Sequence, residues 1–145
     1  MLFIAIAMFT VSSCSDNDDD DKTQDIEINS LPAEARNFIS TYFPGETAQR
    51  VIHQPGSGDD SYEVTLASGA KVDFDNAGRW TEVDGAPGKP VPAGILPQAI
   101  YEYTAINYPA AFISDVSREI YGYEVGLNNN VDLMFNAEGK YIGVD

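Results

Sequence analysis

The sequence predicts an α+β fold: two tandem repeats, each a helix followed by a four-stranded antiparallel meander, joined into one sheet with both helices on one face. Three observations predict it. The second half of the chain is a degenerate copy of the first, the hydrophobic period changes from 3.6 to 2 after each apolar helix, and turn-forming residues join the alternating segments. Leu31-Pro32, Phe38 and Phe43-Pro44 recur sixty-five places on as Leu96-Pro97, Tyr103 and Tyr108-Pro109. After a shift of four, Tyr62-Glu63-Val64 recurs as Tyr123-Glu124-Val125, and Phe74-Asp75-Asn76-Ala77-Gly78-Arg79-Trp80 lines up with Phe135-Asn136-Ala137-Glu138-Gly139-Lys140-Tyr141. Units of about fifty residues bury too little surface to fold alone, so the copies are expected to share a core.

Residues 1–13 read as an export signal, because Met1–Val11 is apolar but too short to span a bilayer. Val11-Ser12-Ser13-Cys14 resembles the bacterial lipobox, which makes Cys14 the lipidated residue and uses up the only thiol. Residues 14–29, with the Asp18–Asp21 run, are too acidic and self-repelling to fold and are expected to form a disordered tether. This arrangement resembles the surface-export signals of Bacteroidetes lipoproteins. It implies a cell-envelope protein anchored at the outer membrane, on the periplasmic or the cell-surface side.

The first repeat spans 30–84. Leu31, Ala35, Phe38, Ile39 and Tyr42 form one helical stripe between Ser30-Pro32 and Pro44-Gly45. Strands follow at Ala48–Gln54, around Tyr62–Leu66, around Val72–Phe74 and at Trp80–Val83. Pro- and Gly-rich residues 85–94 are the linker. In the second repeat, 95–145, Leu96, Ile100, Tyr103 and Ile106 give the helical stripe, and strands are expected at Ser114–Ile120, Tyr121–Leu127, Val131–Phe135 and Lys140–Val144. Ser68-Gly69, Asp75–Gly78, Asn128–Asn130 and Asn136–Gly139 supply the turns.

A Pro-started helix, a meander carrying Phe74-Asp75-x-x-Gly78-x-Trp80, and a tandem duplication behind a lipobox together resemble the PepSY-like family of Bacteroidetes, related in fold to the β-lactamase inhibitory protein. The resemblance covers Leu31 to Asp145. It implies a sheet whose open face grips a protein, with inhibition as one form that recognition takes.

The charge narrows the function further. A formal net charge of −15, about −6 of it between Cys14 and Ser30, leaves too few Lys and Arg for nucleic acid to be a partner. His53 is the only histidine and Cys14 is committed to lipid, so no nucleophile–base pair is available and no enzyme is expected. Zinc lacks a ligand set for the same reason. Asp73–Asp84 has the outline of a calcium loop, but Ala77 stands at a ligand position, Asp84 replaces the final Glu, and strands flank it where helices are needed. A hairpin turn explains it better, and neither metal nor cofactor is expected.

Strand parity gives the candidate binding face. If Tyr62, Val64, Leu66, Val72 and Phe74 face the helices, Lys71 and Asp73 face water. Assigning Ile142 and Val144 to the core puts Trp80, Glu82 and Tyr141 on the open face, where Asp132 and Met134 join them. Aromatic and Met side chains among carboxylates suit a protein or peptide partner. A β-bulge would instead return Trp80 to the core. The alternative function is binding of a small apolar or glycan ligand between the repeats.

Overall fold

The computed structural model describes residues 23–56 and 61–145; the expected export signal, Cys14 and the Asp18–Asp21 run lie outside them. Among the described residues nine antiparallel strands form one sheet in strict chain order: β1 (Gln24–Asp25), β2 (Ala48–Gln54), β3 (Ser61–Leu66), β4 (Lys71–Asp75), β5 (Trp80–Asp84), β6 (Ile113–Glu119), β7 (Gly122–Leu127), β8 (Asp132–Asn136) and β9 (Tyr141–Val144). The helices α1 (Ala33–Tyr42) and α2 (Gln98–Asn107) precede β2 and β6. The two-repeat α+β architecture expected from the sequence is therefore present, with one strand more than expected.

The helices are bounded by their prolines. Pro32 and Pro97 both take φ −51°, the value the ring dictates, and need no N–H at a position where none would be bonded. At the other end Phe43 and Tyr108 leave the helix with ψ near 55–59°, each donating its N–H to the carbonyl four residues back at 2.9 and 2.8 Å. Pro44 and Pro109 then cannot continue the helix. The alignment of the two copies holds at this level of detail because the same residue types impose the same dihedrals.

The core runs transversely through both repeats. Val51, Val64, Val72, Val83, Val116, Val125, Leu133 and Val144 are successive cross-strand partners on the helix side. All but the last are buried, and Ala35 and Ile39 of α1 and Ile100 of α2 pack down onto the same core. β-Branched side chains suit this position because they fill the pleat with little rotamer loss. The repeats meet where β5 pairs with β6, so no boundary in the core corresponds to the boundary in the sequence.

Two glycines fix how the hairpins sit under the helices. Gly78 and Gly139 have φ of +86° and +87°, in the region L-residues avoid. A Cβ at Gly78 would lie 2.8 Å from Pro32 Cβ, and one at Gly139 would lie 2.9 Å from Pro97 Cβ. Each glycine thus admits a tight turn and lets the helix start directly upon it.

Residues 24–29, expected to belong to the disordered tether, are instead ordered. β1 pairs Gln24 with His53 and Asp25 with Ile52, Ile26 donates its N–H to Val51 at 2.9 Å, and Arg50 holds Asp25 at 2.9 Å. Ile26 and Ile28 pack against the hydrophobic core. The linker is likewise held against the sheet: Gly85 and Val91 donate to the Ser114 and Ile113 carbonyls, both at 2.8 Å, and Val91 is buried. The sheet, both helices and their core all lie within 23–145.

Candidate functional site

Two β-bulges decide which residues face the open side. In β4 and β5, Asp73 pairs with Glu82, but Phe74 pairs with Trp80, so Thr81 is the extra residue. In β8 and β9, Met134 pairs with Gly143 and Phe135 with Tyr141, leaving Ile142 extra. A bulge turns the residues beyond it to the opposite face. Trp80 and Tyr141, expected on the open face, therefore lie on the helix side with Phe74 and Phe135.

Their contacts there repeat from copy to copy. Phe38 of α1 meets Phe74 edge-on at 5.7 Å and Trp80 at 6.4 Å, while Tyr103 of α2 meets Phe135 edge-on at 5.4 Å and stacks on Tyr141 at 4.6 Å. Trp80 is 5% exposed and stacks on Tyr123 across the repeat boundary, with the Arg118 guanidinium 4.4 Å from its ring centroid. Its role is to join the repeats. Ile142, expected in the core, is displaced to the surface by the bulge, and Val144 is exposed although it faces the helix side.

The other candidates do share the open face. One transverse row reads Ile52, Glu63, Asp73, Glu82, Ser117, Glu124, Met134, Gly143, and the next reads Arg50, Thr65, Lys71, Asp84, Asp115, Gly126, Asp132. Lys71, Asp73, Glu82, Asp132 and Met134 are thus brought onto one surface, and both helices lie on the other. Like charges face each other directly at Glu63/Asp73, Asp73/Glu82 and Asp84/Asp115. Such cross-strand pairs are unfavourable unless a cation lies between them.

Lys71 supplies part of that cation. It binds Glu63 at 3.1 Å, and this bond, with Asp73 nearby, raises its pKa. Burial pushes the Asp73 carboxyl up to about 6; Lys71 opposes the shift and Glu63 and Glu82 add to it. Its Oδ1 is shut off from solvent without a hydrogen-bond donor. Burial also raises Glu82, seconded by Asp84, and raises Asp84, seconded by Asp115. The sequence draws attention to Asp84 only at the end of the calcium-loop outline, and not to Asp115 or Glu124 as members of the face. The first two become neighbours only through the β5–β6 pairing, which no local pattern encodes, whereas Glu124 follows from its alternation with Tyr123.

The other residues considered for chemistry have places in the sheet and its turns. His53 stands on the helix side and stacks on Tyr62 at 4.7 Å. Asp75 Oδ1 accepts the Ala77 and Arg79 N–H groups at 3.0 and 2.9 Å, and Asn136 Oδ1 accepts those of Glu138 and Lys140 at 3.1 and 2.9 Å. The segment with the outline of a calcium loop is thus a hairpin whose carboxylate holds the backbone, and its counterpart does the same work with an amide. A cavity of about 450 Å³ lies between the linker and α2, lined by Pro90, Val91, Pro92, Tyr101, Thr104 and Phe112 among others. Among the described residues no helix is long and apolar enough to cross a membrane.

The family model described as "Putative beta-lactamase-inhibitor-like, PepSY-like" matches residues 60–143, more than half of the chain. The chain belongs to the PepSY-like family. A structure described as a putative periplasmic protein of the DUF2874 family from Bacteroides vulgatus superposes on this PepSY-like chain with a TM-score of 0.79 and 35% identity, over 87% of this chain and 98% of its own. A "putative calcium-regulated periplasmic protein" from Bacteroides thetaiotaomicron matches at TM-score 0.79 and 33% identity over 85% and 96%. A second Bacteroides vulgatus structure, described as a "putative periplasmic protein of unknown function", matches at 0.79 and 29% over 85% and 98%. No curated protein sequence matches.

Proposed function

We propose that this PepSY-like protein is a non-catalytic, lipid-anchored envelope protein that binds a protein or peptide through the open face of its sheet. One observation carries the reading: a face uncovered by either helix holds Glu63, Asp73, Glu82, Asp84 and Asp115 as cross-strand neighbours, with Lys71 as the cation among them. A partner bringing Lys or Arg would relieve the repulsion and satisfy Asp73 Oδ1, so a basic surface is the complement. Met134 offers an adaptable apolar contact beside the carboxylates. The periplasmic descriptions of the relatives agree with an exported protein, and Cys14 is the residue proposed to carry the anchor.

Capture from envelope extract tests the binding face. Immobilised 23–145 should retain a salt-elutable polypeptide that the Asp73→Asn/Glu82→Gln variant loses. Unchanged capture by a folded double variant would sink the proposal. For the anchor, a palmitate analogue should label the full-length protein in cells, and Cys14→Ser should abolish the label.

The second reading, a small apolar or glycan ligand, was expected between the repeats; the cavity that favours it lies instead between the linker and α2, at Tyr101 and Phe112, and its size suits a small molecule. Saturable binding of an apolar fluorescent probe that Phe112→Asp removes would support it. Absence of saturable binding would reject it.

A further inference from the structure

We propose that the outer edge of β9 is a self-association site, where two copies pair β9 with β9 antiparallel about a two-fold axis. The internal duplication supplies the comparison. β5 is the equivalent strand of the first repeat, and its outer edge is occupied by β6, which leaves Val83 fully buried. β9 is last in the sheet, and no strand among the described residues pairs with its outer edge.

The two edges differ in the direction opposite to their burial. Val144, equivalent to Val83, is 54% exposed, and Ile142 stands 53% exposed where β5 has Thr81. The edge without a partner is therefore the more apolar one. Exposed edges are ordinarily protected by charge or proline, and Tyr141–Val144 contains neither.

The choice of occupant follows from the other edge and from charge. Head-to-tail growth would bring β9 onto β2 of the next copy, but β1 already covers β2 at Ile52 and His53. The other edge strand, β1, is two residues long and offers only a short ladder, so β9 with itself is the longer pairing. Centred between Ile142 and Gly143, that pairing sets Lys140 opposite Asp145 of the second copy, twice per dimer, and Tyr141 opposite Val144. Opposite charges facing across strands stabilise the register. Lys140 is one of only eight basic residues in the chain, and this arrangement gives it a carboxylate partner.

Sedimentation of 23–145 from about 10 μM to about 1 mM should show a concentration-dependent dimer of the affinity expected for a small interface. Lys140→Glu should raise the dimer dissociation constant about tenfold through its two like-charge contacts. Lys140→Glu/Asp145→Lys should restore it, and Val144→Lys should abolish the dimer, with near-ultraviolet dichroism of buried Trp80 confirming the fold. A monomer at every concentration, or a dimer indifferent to both Lys140→Glu and Val144→Lys, overturns the proposal. The open-face reading stands or falls separately, since it concerns other residues.

Discussion

The carboxyl group of Asp73 lies between Glu63 and Glu82 on neighbouring strands, and burial holds its pKa near 6 against a usual 3.8. Between those two pH values the folded chain binds more protons than the unfolded one, so this group's contribution to stability falls as pH rises through the window and stays low above it. Asp73→Asn should therefore stabilise the domain at pH 7, by about 1 kcal/mol once partial exposure is discounted, and give almost no gain below pH about 3.8. Urea midpoints of both proteins across pH 3.5–7.5 would check the sign. Gly78 and Gly139 present the opposite case, where a methyl group is enough to do harm. Gly78→Ala and Gly139→Ala should each cost about 2 kcal/mol, because positive φ and contact with the helix-starting proline act together. Equal costs in thermal denaturation would show that the two turns are equivalent in energy as well as in shape.

At the scale of elements, the strands and helices were legible because period and punctuation agree: Ala48–Gln54 coincides with β2, and both helices lie between their prolines. The facing of Trp80 was not. Alternation is a local rule, and a single extra residue at Thr81 reverses it without any mark in composition, since Thr is at home in a regular strand. The signal that identifies its place is non-local. Phe38 and Tyr103 recur at the same helix position, and each needs an aromatic partner on the strand that Trp80 and Tyr141 provide. Much of the candidate face survived, because Lys71, Asp73, Asp132 and Met134 lie before the bulges and Glu82 pairs regularly. Trp80→Ala should cost about 3 kcal/mol or more, by emptying a site shared by α1 and β7. Deleting Thr81 should do comparable damage by turning the indole to solvent, which its fluorescence maximum would report directly.

For the whole molecule, the valine row makes the duplication an arrangement of sequence rather than of stability. Val83 and Val116 pair across the repeat boundary, both fully or almost fully buried, so neither repeat can close its core alone. Urea unfolding should be one transition, with Trp80 fluorescence and far-ultraviolet dichroism coincident. Val116→Ala should shift both signals together by about 2 kcal/mol. Two separable transitions would contradict the shared core.

Strict chain order in the sheet has a mechanical consequence. Residue 23 and Asp145 lie at opposite edges, so tension applied between them pulls across the strands, along their hydrogen bonds. In that geometry bonds yield one after another instead of sharing the force, and β1, with two paired residues, yields first. Stretched between residue 23 and Asp145, the sheet unzips at low force from the β1 side, whereas load applied through the open face spares that edge.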